Sequence, residues 1–167
     1  APVLTLRSIS TGAVTVVKPG LRYLAGSSFA PDGQSVIAAG GDFRGRFGLF
    51  RIELPGGETQ LIVAGERFRS LDGPKWSRDG RTLLYTHNTP GLRSFVARDL
   101  ATGKEREIAR GKVSATALPS GNEIEIGGLH LSPDGQYIVT AKRKPFAITL
   151  IAVEDGATRT MLESSDE

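Results

Sequence analysis

The sequence predicts an all-β fold assembled from one repeated four-stranded unit, and three observations carry that prediction. An Asp-Gly pair recurs at Asp32-Gly33, Asp79-Gly80 and Asp134-Gly135. Each pair is followed by a glycine turn, at Gly57, Gly103 and Gly156, after 25, 24 and 22 residues. Apolar residues keep fixed offsets from both signals. Such constancy marks a single supersecondary unit used repeatedly. Gly12 repeats the second signal without the first.

The elements follow in order. Three residues before each Asp stands Phe29, Trp76 or Leu131, and shortly after it stand Val36-Ile37, Leu83-Leu84 and Ile138-Val139. An apolar strand, a tight turn and a second apolar strand make a β-hairpin, with Asp-Gly supplying the positive φ the turn needs. Successive apolar residues mean strands buried on both faces. In the second half of the unit, Ile9, Leu54, Leu100 and Val153 precede the glycine, and Val17, Ile62, Ile108 and Met161 follow it. Strands near Leu49–Leu54, Phe95–Leu100 and Ile148–Val153 therefore turn into shorter, more polar ones such as Lys104–Ile108. Polar character suits a sheet edge. Each unit reads as four antiparallel strands, from a buried inner one to a solvated outer one.

Four-stranded sheets repeated at 40-odd residues are blades of a β-propeller. An immunoglobulin-like sandwich has regular turns but does not repeat one four-strand pattern three times. No segment sustains the 3.6-residue period of a helix. The expected layout is a half blade over 1–17, then blades over 24–64, 72–110 and 126–163. Three and a half blades fall short of the roughly four to eight that close a ring. Bare apolar end faces are unfavourable in water. The expectation is thus an internal segment of a longer propeller, completed by further blades of the same chain or by a second copy. An opening Ala1-Pro2 fits a processed or excised piece.

The hairpin sequences Ala30-Pro31-Asp32-Gly33-Gln34, Trp76-Ser77-Arg78-Asp79-Gly80-Arg81 and Leu131-Ser132-Pro133-Asp134-Gly135-Gln136 carry a resemblance. They are similar to the W-S-P-D-G hairpin of TolB-like (WD-like) propeller repeats, and Asp99-Leu100-Ala101-Thr102-Gly103 resembles the companion D-L-x-T-G turn. Unit one has Phe29-Ala30 in place of Trp-Ser, and unit two has Arg78 in place of Pro. The resemblance implies an interaction or sensor module of bacterial envelope or signalling proteins, periplasmic by that likeness alone. The alternative it implies is the gating propeller of prolyl-oligopeptidase-like serine peptidases, whose hydrolase lies outside this chain.

Composition sets outer bounds. With 167 residues, 39% hydrophobic and 23% charged, the chain is globular and can bury a core. No apolar run approaches the ~18 residues of a membrane helix, and no signal-peptide pattern is present. The absence of cysteine excludes disulfides and thiolate metal sites.

Charge becomes informative once it is distributed over the blades. Links from strand two to strand three share one rim with the links between blades, whereas the Asp-Gly and Thr-Gly turns take the opposite rim. The first rim holds twelve Lys or Arg against five Asp or Glu, a formal +7 within a chain of net +3. Candidate binding residues there are Arg44, Arg46, Arg67 and Arg69, with Lys142, Arg143 and Lys144 on the third blade. Single-sign clustering attracts oppositely charged partners, here an acidic protein segment or an anionic small molecule. Loops are also charged simply because they are wet. Nucleic acid is the weaker reading: Phe43, Phe47 and Phe68 lie among the basic residues, but no recognition motif does. The link from Arg110 to about Gly128 is longer than its counterparts and reads as a lid or as a tolerated insertion.

Catalytic chemistry is hard to find. Ser28, Lys75 and His130 share one register position on the inner strands and are candidates for a polar site on the axial channel. His87 is placed in a loop after a strand. A Ser-His-Asp triad has no G-x-S-x-G elbow here. The two histidines lie apart in the repeat, with no acidic cluster beside them to complete a metal site. Gly40-Gly41-Asp42-Phe43-Arg44-Gly45-Arg46 lacks both G-K-[ST] and a following helix, so it is not a phosphate loop. Trp76 reads as an anchor between blades. The sequence implies no cofactor, no membrane span and no enzyme activity of its own.

Overall fold

Four antiparallel sheets follow one another in a computed structural model that describes residues 1–66, 70–112, 129–143 and 146–163, with residues 112, 142 and 143 described by their backbone only. A two-stranded sheet comes first, β1 (Leu4–Arg7) and β2 (Val14–Val17). Blade 1 is β3 (Leu21–Phe29), β4 (Ser35–Asp42), β5 (Phe47–Glu53) and β6 (Thr59–Ala64). Blade 2 is β7 (Ser70–Trp76), β8 (Thr82–Thr89), β9 (Leu92–Asp99) and β10 (Glu105–Lys112). Blade 3 is β11 (His130–Leu131), β12 (Tyr137–Arg143), β13 (Phe146–Ala152) and β14 (Thr158–Glu163). Within each blade the strands lie side by side in chain order. Among the described residues there is no helix, and hence none long and apolar enough to cross a membrane. The chain is an all-β propeller of repeated four-stranded antiparallel sheets.

The turns explain the periodicity. In each Asp-Gly hairpin the glycine N–H donates to a carbonyl three residues back: Gly33 to Ala30, Gly80 to Ser77 and Gly135 to Ser132, at 2.9, 3.0 and 2.8 Å. Those glycines hold φ of 68°, 71° and 76°, a region in which a side chain would strain the backbone. The turn is wider than a two-residue hairpin, because its closing pair, such as Ala30 with Ser35, brackets four residues. In the second turn the glycine N–H reaches back four residues, from Gly57 to Glu53, Gly103 to Asp99 and Gly156 to Ala152. Gly12 donates to Ser8 in the same way at 2.9 Å. The N-terminal pair β1–β2 is therefore the outer half of a blade.

Each complete blade also ties its two turns together. Leu54, Leu100 and Val153 donate their N–H groups to Gln34, Arg81 and Gln136 at 2.9, 3.0 and 2.8 Å. The core lies between sheets rather than within one. Leu4, Leu6 and Val17 of the half blade pack with Leu21, Ala38, Phe50 and Ile52 of blade 1. Ile37, Leu49 and Val63 of blade 1 meet Leu71, Leu83, Tyr85 and Val96 of blade 2. Leu84, Phe95 and Ile108 of blade 2 meet Leu129, Ile138 and Ile151 of blade 3. Trp76 packs against the second of these clusters, as an anchor between blades, but stays half-exposed.

Candidate binding rim

Among the described residues, the rim opposite the Asp-Gly turns is built by the β4–β5 and β8–β9 turns and by the end of β12. At the first of these, Asp42 organises the chain: its Oδ1 accepts the N–H groups of Arg44 and Arg46 at 2.9 Å each, and its Oδ2 accepts Arg46 Nε at 2.7 Å. Partial desolvation pushes the Asp42 carboxyl up, but the Arg46 guanidinium and the two backbone donors outweigh it and leave it below the ordinary value. Arg46 is thus half-exposed yet tied to its own turn. Arg44, beside it, is exposed and forms no side-chain ion pair among the described residues. Of the other rim cations proposed from sequence, Lys142 and Arg143 end β12. Arg67, Arg69 and Lys144 lie outside the described residues, as does the long link from residue 113 to 128.

On the inner strands, Ser28, Lys75 and His130 pair with Ile37, Leu84 and Val139, three matching places on consecutive blades. Lys75 is half-buried and His130 exposed. No ion pair or hydrogen bond joins them among the described residues. His87 departs from expectation. It belongs to β8 rather than to a loop, because that strand runs on to Thr89 and turns over Pro90-Gly91 alone. Its ring is buried and stacks on Tyr85 with centroids 5.3 Å apart.

Sequence reasoning missed a polar group on blade 2 that reaches from the buried Tyr85 to the partly solvated Arg98 and Glu105. The Tyr85 hydroxyl donates to Glu105 Oε1 at 2.7 Å, and Arg98 Nη1 donates to the same oxygen at 2.7 Å. Burial, and then the neighbouring carboxylate, push the Tyr85 hydroxyl up, so it remains a donor. Desolvation pushes Glu105 up, but the hydroxyl and the Arg98 guanidinium more than reverse that. Nothing in a single sequence pairs residues 85, 98 and 105; only the register of β8, β9 and β10 does.

No protein-family model and no curated protein sequence matches the chain. Solved structures do. The fold is similar to a putative TolB from Agrobacterium tumefaciens, with a TM-score of 0.72 at 18% identity, covering 97% of this chain and 55% of that one. TolB from Acinetobacter baumannii is similar at a TM-score of 0.62 and 15% identity, over 95% of this chain and 40% of that one. Prolyl endopeptidases are similar at a TM-score of 0.61 and 17% identity, over 98% of this chain and 26% of theirs. The fold is therefore that of TolB-like β-propellers. The chain spans about half the length of the first of these neighbours.

Proposed function

We propose that this chain is a non-catalytic recognition segment of a larger TolB-like propeller, docking a protein or a small anionic ligand on its basic rim. The observation that carries the segment reading is the bareness of both end faces. At one end, Phe29 is 57% exposed, although its counterparts Trp76 and Leu131 pack against the preceding blade. At the other, Leu162 is 53% exposed where its counterpart Val63 is buried. Apolar surface of this kind seeks a further sheet, either from the same chain or from a second copy. The likeness to TolB favours a bacterial envelope setting, and the exposed Arg44, together with the run of Lys142, Arg143 and Lys144 in the sequence, favours an acidic partner.

The test is the association rate of a fluorescently labelled polyglutamate peptide at low salt. Changing Lys142, Arg143 and Lys144 to Glu slows association roughly tenfold or more, and added salt narrows the difference. Equal rates for the two proteins would remove the rim from the proposal.

The likeness to prolyl endopeptidases supports a second reading, a propeller that filters substrates for a serine hydrolase elsewhere in the chain. The parent reading frame separates the two. A downstream α/β-hydrolase segment with a serine elbow favours the filter; further repeats alone favour the recognition scaffold.

A further inference from the structure

One cleft on the basic rim is lined by a carboxylate, that of Asp72. It lies between blades 1 and 2, has a volume of about 270 Å³, and is walled by Tyr23 and Phe47 on one side and by Ser70, Asp72 and Asn88 on the other. Its aromatic wall is a product of register. Tyr23 pairs with Gly41, and Gly41 pairs with Phe47, so the three form one row across β3, β4 and β5. The Phe47 carbonyl in turn accepts the Gly65 N–H at 2.8 Å. A Cβ on Gly41 would collide with the Tyr23 ring, and one on Gly65 would collide with the Phe47 ring. Each ring can therefore lie against its glycine neighbour, yet Tyr23 remains 50% and Phe47 36% exposed.

The facing wall is polar and already partly committed. Asn88 receives Arg93 Nε on its Oδ1 at 2.7 Å and donates its Nδ2 to Thr86 Oγ1 at 3.2 Å. Asp72 accepts the Gly73 N–H on Oδ1 at 2.6 Å. Among the described residues nothing donates to Asp72 Oδ2. Among the described residues lining the cleft, Asp72 carries the one full charge. Of the two cations of the adjoining turn, Arg46 is answered by Asp42, and Arg44 is exposed.

We propose that this cleft binds a single arginine side chain presented by a partner polypeptide. Its volume falls below the roughly 300–1,000 Å³ of sites for drug-sized molecules, so the occupant is of side-chain size. A planar guanidinium stacks on aromatic faces and forks its donors onto a carboxylate, which is the pair of demands these walls make. The Asp72 carboxylate lining the cleft disfavours an anion. The site needs only blades 1 and 2, so it stands whether or not the basic rim binds an acidic partner.

The test is a heteronuclear NMR titration of the whole chain with N-acetyl-arginine amide, run beside N-acetyl-citrulline amide, its uncharged isostere, and a methyl glucoside. The arginine derivative is expected to shift amides around Tyr23, Gly41 and Asp72 with a dissociation constant on the order of millimolar. Citrulline and the glucoside bind about tenfold more weakly or not at all. Asp72→Asn keeps an oxygen for the Gly73 N–H but weakens arginine binding by about tenfold, while Phe47→Ala weakens it several-fold. Equal binding of citrulline or glucoside, unchanged affinity in Asp72→Asn, or no shifts at these amides would each overturn the proposal.

Discussion

The half blade and blade 2 are two copies of one design, the first with only its outer strands and the second complete. Both close their outer hairpin in the same way, with Gly12 donating to Ser8 as Gly103 donates to Asp99. They differ in what lies inward. Leu100 of blade 2 packs against a core cluster and bonds to Arg81 of the inner hairpin at 3.0 Å, whereas Ile9, at the matching place, is fully exposed. Trp76 rests on the complete blade 1, while Phe29, its counterpart, faces a half blade and meets solvent. The lesson is that the outer turn is locally determined, but burial of the inner strand is granted by the neighbouring sheet. An identical sequence position has different energetic weight according to what stands beside it.

The largest expected effect tests that contrast directly. Trp76→Ala removes an indole packed between two blades and costs about 3 kcal/mol, the low end for a large aromatic because the ring is half-exposed. Phe29→Ala costs less than about 1 kcal/mol, as surface truncations do. Urea unfolding of both variants measures the difference. Equal costs would mean that something already covers Phe29. Trp76→Phe stays within about 1 kcal/mol of the parent, because the buried Nε1 donor has no partner among the described residues and little hydrogen bonding is lost.

A middle-sized effect sits in the polar group that only the complete blade possesses. Tyr85→Phe deletes a hydroxyl donating to the Glu105 carboxylate and costs about 1.5 kcal/mol, the low end for a bond to a charged group because Glu105 is partly solvated. Glu105 has its proton affinity lowered in the fold, so its contribution is fully present above the ordinary carboxylate range of about 4.3 and disappears as pH falls through the folded value. Melting temperatures recorded from pH 7 down to pH 3 should therefore drop more steeply for the parent than for Tyr85→Phe. Parallel curves would remove the hydroxyl from this role.

These cases also show what could be read in advance. The repeat frame, the strand order and the partial blade were legible because each glycine turn is a local event with its own sequence cost, repeated three or four times. Anchor positions such as Trp76 followed from the same frame. The Tyr85–Arg98–Glu105 group and the Tyr23–Gly41–Phe47 row were not legible, since both depend on register between strands and on which sheet face meets the next blade. His87 was misplaced because a strand end is fixed by how tight the following turn is, and Pro90-Gly91 makes it tight.

The smallest effect tests a departure that the sequence advertises. In units two and three a serine precedes the Asp-Gly pair, and it does two things. Ser77 and Ser132 donate to Asp79 and Asp134 at 2.6 and 2.5 Å, and each accepts the N–H five residues on, from Thr82 and Tyr137, at 2.9 Å. The serine hydroxyls, then the backbone N–H groups of Arg81 and Gln136, hold both carboxyls below their ordinary range. Unit one has Ala30, and among the described residues Asp32 keeps only the Gln34 N–H at 2.8 Å. Ser132→Ala should cost about 1 kcal/mol, and Ala30→Ser should recover a gain of up to about that size, since the backbone pair Ala30–Ser35 already sets the required geometry. A neutral or destabilising Ala30→Ser would show that the first hairpin has diverged in shape as well as in sequence, so that it no longer shares the frame of its two successors.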